Sequence, residues 1–84
     1  MRAVQVRVRL GAGLSRLSTA PALTLELEEG ATVDDLLARL REREPDLAPA
    51  LNSALPVIAG AHAEPRRRLE DRQEIALLLP VSGG

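Results

Sequence analysis

The sequence predicts an α+β fold, in which one main helix packs on one face of a mixed sheet of about four to five strands. Residues 4–10 and 23–28 alternate between apolar and polar side chains, a period that indicates half-buried strands. Residues 33–40 instead repeat their apolar positions at the spacing of a helix. The chain has 84 residues, of which 45% are hydrophobic and 27% charged, so it is expected to form a single domain, residues 1–84.

The first two predicted strands are expected to pair with each other. If the pairing is antiparallel, Arg7 and Arg9 lie on the same solvent-facing side as Glu26 and Glu28. Opposite charges on neighbouring strands favour pairing by roughly 0.2–1 kcal/mol per pair. Between the strands, glycines at 11 and 13 end the first strand, and residues 14–17 are expected to form one helical turn.

The main helix is predicted to begin after Thr32, a favourable N-cap residue. Asp35 stands three residues later, where a short carboxylate imitates a capping box. Pro45 disfavours helical geometry in the residue before it, so the helix is expected to end near Glu44. Its apolar stripe comprises Val33, Leu36, Leu37 and Leu40.

The second half of the chain is predicted to contain a short strand, a polar turn region and a final strand. Residues 46–53 are expected to form an irregular or 3₁₀ connection, and Pro56 favours an edge position or a strand start for residues 55–59. Residues 60–68, with His62, are predicted as turn, and residues 69–73 as a surface turn. The apolar run 74–79 is typical of a strand that is covered on both faces or that runs between other strands, and it is expected to lie beside the first strand.

Composition excludes several kinds of function. The chain contains no Cys, Lys, Phe, Tyr or Trp and a single His, which excludes disulfides, thiolate or lysine nucleophiles and aromatic platforms for nucleic acid. No metal site is expected, and the net charge of −1 provides no basic field. The run Arg66–Arg68 fits a solvated loop better than a phosphate site. With no apolar segment of spanning length, a cytoplasmic protein that binds neither membranes nor nucleic acid is expected.

The C-terminal residues 80–84, Pro-Val-Ser-Gly-Gly, are predicted to form a flexible tail that leaves the last strand. Two final glycines contribute nothing to a core, and without Cβ atoms they fit a narrow channel. The terminal carboxylate of Gly84 is the one chemically available group that the internal sequence leaves, and it must be activated before it can transfer anything. The alternative is a frayed chain end without a role.

The segment Leu79–Gly84 closely resembles the Pro-Pro-Val-[Ser/Thr/Ala]-Gly-Gly ending of the MoaD/ThiS-type sulfur carriers. Within that family it is most similar to the molybdopterin synthase small subunit. The resemblance extends upstream to a Leu-x-Asp-Gly-Asp-Glu-Val-Ala segment, matched here by Leu69, Asp71, Glu74, Ile75 and Ala76. Departures occur at Gly11, Leu77 and Leu78, where aromatics are common, and at Ala59, Arg72, Gln73 and Leu79.

The resemblance implies a ubiquitin-like β-grasp fold and a role that depends on partner proteins. An E1-like adenylating enzyme would use ATP to activate the Gly84 carboxylate, and no cofactor would be bound by the chain itself. A sulfur donor such as a cysteine desulfurase or rhodanese would convert the adenylate to a thiocarboxylate. The tail residues Pro80, Val81, Ser82 and Gly83 would enter the molybdopterin synthase large subunit, and Leu78, exposed by strand alternation, would contact that partner.

Two alternatives remain at this point. The same thiocarboxylate would serve thiamine thiazole formation, tRNA thiolation or cysteine synthesis, or the chain would be a ubiquitin-like protein modifier. The second alternative is a non-catalytic interaction module whose tail has no function.

Overall fold

A computed structural model describes residues 2–18 and 21–80, and within them it shows a five-stranded mixed sheet with a helix on one face. The strands are β1 (Ala3–Leu10), β2 (Ala22–Glu28), β3 (Leu55–Ile58), β4 (Ala61–His62) and β5 (Gln73–Leu78). The helical elements are α1 (Ala12–Ser15), α2 (Val33–Arg43), a 3₁₀ turn (Pro45–Leu47) and α3 (Ala48–Leu51). The predicted α+β architecture, with α2 as its main helix, is confirmed.

The two central strands, β1 and β5, lie adjacent, as predicted, and the structure shows that they run parallel. The sheet order is β2-β1-β5-β3-β4, and Val8 lies opposite Ile75 in the central pair. The alternation of β1 is complete, because every even-numbered residue from Val4 to Leu10 is buried and every odd-numbered one is exposed. The core is therefore aliphatic and lies between the inner face of the sheet and α2; its fully buried members include Val6, Val8, Leu36, Leu40, Ile75 and Leu77.

The predicted antiparallel pairing of β1 with β2 is confirmed and places the arginines and glutamates of the two strands on one exposed face, but the arginines do not lie directly opposite the glutamates. Arg7 lies opposite Thr24 and Arg9 opposite Ala22, so neither arginine faces a glutamate of β2. Both approach Glu74 on the other neighbouring strand, β5. A slip of two residues leaves every side chain on the same face, so alternation alone does not determine this register.

The predicted start and end of α2 are confirmed. The Thr32 hydroxyl accepts a hydrogen bond from the Asp35 N–H at 3.2 Å, and Asp35 Oδ2 accepts one from the Thr32 N–H at 2.9 Å. Both bonds of a capping box are thus present, although an aspartate replaces the longer glutamate. The helix ends at Arg43, two residues before Pro45, and Val33, Leu36 and Leu40 are buried while Leu37 is only half-buried.

The connection after α2 is more helical than expected. Pro45–Leu47 forms the predicted 3₁₀ turn, but Ala48–Leu51 continues as a short α-helix. Leu47 and Leu51 are both buried, so this connection covers one end of the core. The burial of two leucines explains why the segment is ordered despite Pro49.

β3 and β4 form a β-hairpin, and the sequence predicted neither its two-residue turn at 59–60 nor the position of His62 in a strand. Ala59 and Gly60 have φ angles of 51° and 80°, and positive φ at both central residues is the geometry of a type I′ turn. His62 accordingly lies in β4, opposite Val57, and not in a turn. Pro56 stands second in β3, and its carbonyl accepts a hydrogen bond from the Ala63 N–H at 2.8 Å.

The surface turn predicted at residues 69–73 is confirmed for residues 70–72, which are exposed, but Leu69 anchors the start of this segment to the core. Leu69 is 4% exposed, and its N–H donates to the Ala31 carbonyl at 2.8 Å. The turn itself closes at Arg72, whose φ angle is 64°. The Arg72 N–H donates to the Gln5 carbonyl at 2.7 Å, and the Gln5 N–H donates to Asp71 Oδ1 at 2.8 Å. These bonds hold the turn against β1.

Of the two arrangements predicted for the last strand, the structure shows the one in which it runs between other strands, and not the one in which both faces are covered. Ile75 and Leu77 are fully buried beneath α2, whereas Ala76 is half-buried and Leu78 is 42% exposed. The strand is central within the sheet, but no layer of the described chain covers its outer face. The apolar residues on that face therefore need an explanation other than the core.

Candidate functional site

The predicted site residues divide into those that the structure describes and those that it does not. Val81, Ser82, Gly83 and Gly84 lie outside the described residues. Pro80 is described and exposed, two residues beyond the end of β5. The structure therefore describes the surroundings of Pro80, where the tail begins, and not the rest of the predicted site.

The exit from β5 is fixed on one side by α1. The Leu77 carbonyl accepts a hydrogen bond from the Gly11 N–H at 2.9 Å. Leu79 is half-buried and packs against the core. A Cβ atom at Gly13 would lie 2.7 Å from Leu79 Cδ1, which is closer than carbon atoms pack, so glycine at this position makes room for Leu79. The chain is thus held to Leu79 and becomes exposed at Pro80.

An apolar patch covers the outer face of the sheet beside this exit. Leu55 lies opposite Leu78 in the antiparallel pairing of β3 and β5, and each is 42% exposed. Val57 lies opposite Ala76 in the next row, and both are half-buried. We call these four residues the β3/β5 patch. The predicted exposure of Leu78 is confirmed, and Leu55 is a patch residue that sequence reasoning missed.

The sequence contained part of the information that places Leu55 in the patch. With Pro56 and Ile58 facing inward, period two places Leu55 and Val57 on the other face. The pairing of β3 with β5 could not be predicted, because two strands separated by the 14 residues 59–72 carry no local mark of their register.

Leu78 also lies against the backbone of Gly11. A Cβ atom at Gly11 would be 3.1 Å from Leu78 Cδ2 and 3.2 Å from the Leu77 carbonyl oxygen. The resembling family commonly has aromatics at these positions, and here a leucine side chain covers a bare glycine. The surface remains apolar although both aromatic side chains are missing.

A charged strip borders the patch on the β1 side. Glu74 Oε1 lies 3.5 Å from Arg9 Nη1, and Glu74 Oε2 lies 4.0 Å from Arg7 Nε. The three side chains are between 50% and 65% exposed, so water screens these ion pairs and they add little stability. The patch is therefore an apolar surface with a polar rim on one side, the arrangement that protein interfaces use.

The described residues include several polar side chains outside the exit from β5. Among them, no group of three or more His, Cys, Asp or Glu side chains could hold a metal ion. Ser15 donates to the carbonyl of Ala12, and Ser18 donates to Glu44 Oε1, so neither hydroxyl faces a histidine. His62 is exposed on β4, and Arg66–Arg68 is an exposed loop whose Arg67 carbonyl accepts from Val33.

Within residues 2–18 and 21–80, none of the helices combines the length and the apolar character needed to cross a membrane.

Comparisons with known proteins give a consistent result. A model of the ThiS family matches residues 8–84. The molybdopterin synthase sulfur carrier subunit of Chlamydomonas reinhardtii is 28% identical over 83 residues, which cover 96% of this chain and 100% of that protein.

Two solved structures extend the comparison. The small archaeal modifier protein 1 of Methanosarcina acetivorans is 27% identical with a TM-score of 0.79, covering 100% of both chains. A chain in the complex of subunits 1 and 2 of the Helicobacter pylori molybdopterin-converting factor is 23% identical with a TM-score of 0.71, covering 96% of this chain and all of that one.

The predicted ubiquitin-like β-grasp fold is confirmed, because the ubiquitin of Caldiarchaeum subterraneum has the same fold at 15% identity, with a TM-score of 0.69 over 99% of this chain and 100% of that one. The family model spans nearly the whole length, including the tail whose ending first indicated the resemblance. This chain belongs to the ThiS family of sulfur carriers.

Proposed function

We propose that this protein carries sulfur on the carboxyl group of Gly84 and delivers it for the formation of molybdopterin. The observation that carries the proposal is the junction at Leu78–Pro80, where a core strand leads into the tail beside an exposed apolar patch. A carrier must present its reactive end to two or more enzymes, and a rigid surface next to that end lets each enzyme position it.

The proposed chemistry has two steps, both performed by partners. An E1-like enzyme catalyses attack of the Gly84 carboxylate on the α-phosphorus of ATP, forming an acyl-adenylate and releasing pyrophosphate. A sulfur nucleophile then attacks the carbonyl carbon and AMP leaves, so that sulfide yields a thiocarboxylate directly. A desulfurase or rhodanese persulfide would give an acyl disulfide, which a thiol then reduces. The chain itself supplies the carboxylate and no cofactor.

The β3/β5 patch is proposed to dock on the large subunit of a molybdopterin synthase. Leu55 and Leu78 would lose their remaining exposed area at the interface, and Pro80 would enter the partner as the tail begins. The complex of the two Helicobacter pylori subunits supports a partner of this kind, because a chain of the same fold is assembled there with a second subunit.

The decisive experiment incubates the protein with its cognate E1-like enzyme, ATP and sulfide and measures intact mass. We expect the mass to rise by the difference between one sulfur and one oxygen atom. A variant lacking Gly84 still ends in glycine but is one residue shorter, and it should show no exchange. An unchanged mass with an enzyme that adenylates another carrier under the same conditions would overturn the proposal.

A second candidate function is protein modification. The similarity to a small archaeal modifier protein over the full length of both chains favours it. The same acyl-adenylate would then be attacked by a lysine amine of a target protein, forming an amide with loss of AMP. Because this chain has no lysine, it has no side-chain amine that could accept such a bond from another copy. Higher-mass conjugates in cells that express a tagged form, lost when Gly84 is deleted, would identify this function.

A further inference from the structure

A second surface lies at the opposite edge of the sheet, where a groove of about 670 Å³ separates β2 from α2. One wall is the strand from Glu26 to Glu28 with the turn that follows it, and the other is the helix face that carries Asp35, Ala38, Arg39 and Glu42. The sheet order places β2 at an edge, two strands away from the β3/β5 patch. Nothing in the proposed sulfur chemistry uses this groove.

The edge of β2 exposes backbone groups that have no partner in the sheet. Hydrogen bonds from Leu10 to Pro21 and from Glu29 to Arg2 show that odd-numbered residues of β2 face β1. In an antiparallel pair the bonded positions alternate, so Thr24, Glu26 and Glu28 direct their N–H and C=O groups outward. Among the described residues, no hydrogen bond outside the strand ladder reaches either backbone group of Glu26.

Both ends of this edge are closed by the protein itself. Arg43, from the last turn of α2, donates through Nη1 to the Thr24 carbonyl at 2.9 Å. The Glu28 carbonyl accepts from the Ala31 N–H at 3.0 Å. The N–H groups of Thr24 and Glu28 still face outward, and so do both backbone groups of Glu26. Together they form a short template for one added strand, centred on Glu26.

The charges around the template have one predominant sign. Glu26, Glu28 and Glu29 are exposed, and none of them takes part in an ion pair within the described part of the chain. The helix wall adds Asp35 and Glu42. Of the two α2 arginines at this edge, Arg39 lies 3.4 Å from Glu42 Oε2 and Arg43 closes the Thr24 end. Between these acidic rims, Ala38 leaves a shallow apolar floor.

We propose that this groove binds an extended, arginine- or lysine-rich segment of another protein as an added strand on β2. The segment would exchange hydrogen bonds with the backbone of Glu26, place alternate basic side chains beside Glu26 and Glu28, and place small apolar side chains towards Ala38. The proposal does not rest on the sulfur-carrier function. Because groove and patch are separated, a bound segment leaves the tail free.

The charge distribution argues against a second copy of this chain as the occupant. Antiparallel pairing of two β2 edges about Glu26 would bring glutamates of both copies into neighbouring positions. Like charges directly opposite each other on adjacent strands destabilise the pairing. A basic segment removes that repulsion and replaces it with attraction.

The experiment titrates the full-length, ¹⁵N-labelled protein with a blocked six-residue peptide of alternating valine and arginine. We expect chemical-shift changes at the amides of Thr24, Glu26 and Glu28 and along the α2 wall, with little change at Leu55 and Leu78. Two control peptides accompany it: one has glutamate in place of arginine, and the other is N-methylated at one of its two central residues. Both should bind at least about tenfold more weakly, because one loses the charge attraction and the other a backbone donor.

Two protein variants distinguish the contribution of the Glu26 backbone to peptide binding from that of the Glu26 side chain. Glu26→Pro removes an N–H that faces outward, so it leaves the β1–β2 ladder intact and should weaken peptide binding by about tenfold or more. Glu26→Gln keeps the backbone donor and should weaken it by only about two- to threefold. Unchanged amide positions in β5 and α2 show that each variant is folded, and if Glu26→Pro does not fold, the N-methylated peptide on the unaltered protein makes the same test.

Several results would overturn the proposal. Shifts confined to the β3/β5 patch would assign the peptide to the other surface. Equal affinity for the arginine, glutamate and N-methylated peptides would show that neither charge nor backbone pairing drives binding. A concentration-dependent dimer that loses the β2 edge signals without peptide would identify a second copy as the occupant.

Discussion

The β3/β5 patch and the β2/α2 groove offer two different means of recognition on one small sheet. The patch presents apolar side chains, Leu55 and Leu78, from strands whose backbone bonds are already made. The groove presents the unpaired backbone of Glu26 and a rim of carboxylates. A partner of the patch is held by shape and burial of apolar area, whereas a partner of the groove is held by hydrogen bonds and charge.

This difference follows from position within the sheet. An interior strand such as β5 has no free hydrogen-bonding edge, so its outer face can recognise a partner only through side chains. An edge strand such as β2 has backbone groups to offer, and the glutamates beside them discourage pairing with apolar strands. The two surfaces should therefore respond to different perturbations.

The largest effect on binding is expected from a substitution in the β3/β5 patch. Leu78→Glu should weaken binding to a molybdopterin synthase large subunit by at least about 30-fold, because a buried anchor of roughly 2 kcal/mol or more is replaced by a charge that burial disfavours. Titration calorimetry measures it. Leu17→Glu is the matched control, since Leu17 is 44% exposed but lies outside the sheet, and its effect should be small. Equal losses in the two variants would show that the patch is not the docking surface.

A change in salt concentration should affect binding at the groove and at the patch differently, and this effect should be smaller than that of Leu78→Glu. Raising NaCl from about 0.05 to 0.5 M shortens the range of exposed charges and should weaken binding of the basic peptide at the groove by about tenfold. Binding at the patch should change by less than about twofold, because its central contacts are apolar. Parallel titrations of both partners provide the comparison, and equal salt dependence would contradict it.

Relief of the strained turns should stabilise the fold without changing either surface. Ala59→Asn in the type I′ turn and Arg72→Gly before β5 replace residues with φ angles of 51° and 64° by residues that adopt positive φ more easily. Each should raise the free energy of unfolding by about 0.5–1 kcal/mol, which corresponds to a Tm increase of roughly 2–8 °C for a domain of this size.

Ala61→Asn is the control for the hairpin, because Ala61 is exposed in β4 and has no positive φ angle. It should lower the Tm or leave it unchanged, since asparagine is unfavourable in a strand. A Tm increase in this control equal to that of Ala59→Asn would contradict the turn explanation.

The smallest effect is expected at the charged strip beside the patch. Glu74→Gln removes both exposed ion pairs with Arg7 and Arg9 and should change the free energy of unfolding by less than about 0.5 kcal/mol. Denaturant unfolding measures it, with Glu70→Gln as a control, since Glu70 has no ion pair within the described residues. A loss well above that of the control would mean that the strip stabilises the sheet.

The sequence predicted those elements whose signals are local. The alternation of β1, the capping box at Thr32 and Asp35, and the helix stop at Pro45 each depend on residues within one or two turns of chain. The hairpin after β3 escaped prediction because Ala59 stands in a turn where asparagine would have been the recognisable signal.

In the candidate site, the sequence predicted only what the pattern within a single strand reveals. Alternation within β5 identified Leu78, but Leu55 joins it through a pairing between distant strands. The ion pairs of Arg7 and Arg9 were assigned to the wrong neighbour for the same reason, since a two-residue slip preserves every face. The groove depends on which strand lies at the edge, and no local pattern contains that information.

The parallel pairing of β1 with β5 has a mechanical consequence. The beginning of β1 and the end of β5 lie at opposite ends of the same ladder, which extends from Val6 opposite Gln73 to Leu10 opposite Leu77. Tension applied between the N-terminal end and Pro80 therefore shears all the bonds of the ladder together and does not open them one at a time. A partner that pulls on the tail would meet the resistance of the whole central pair, so under the proposed function the tail could be drawn into an enzyme while the domain outside stays folded.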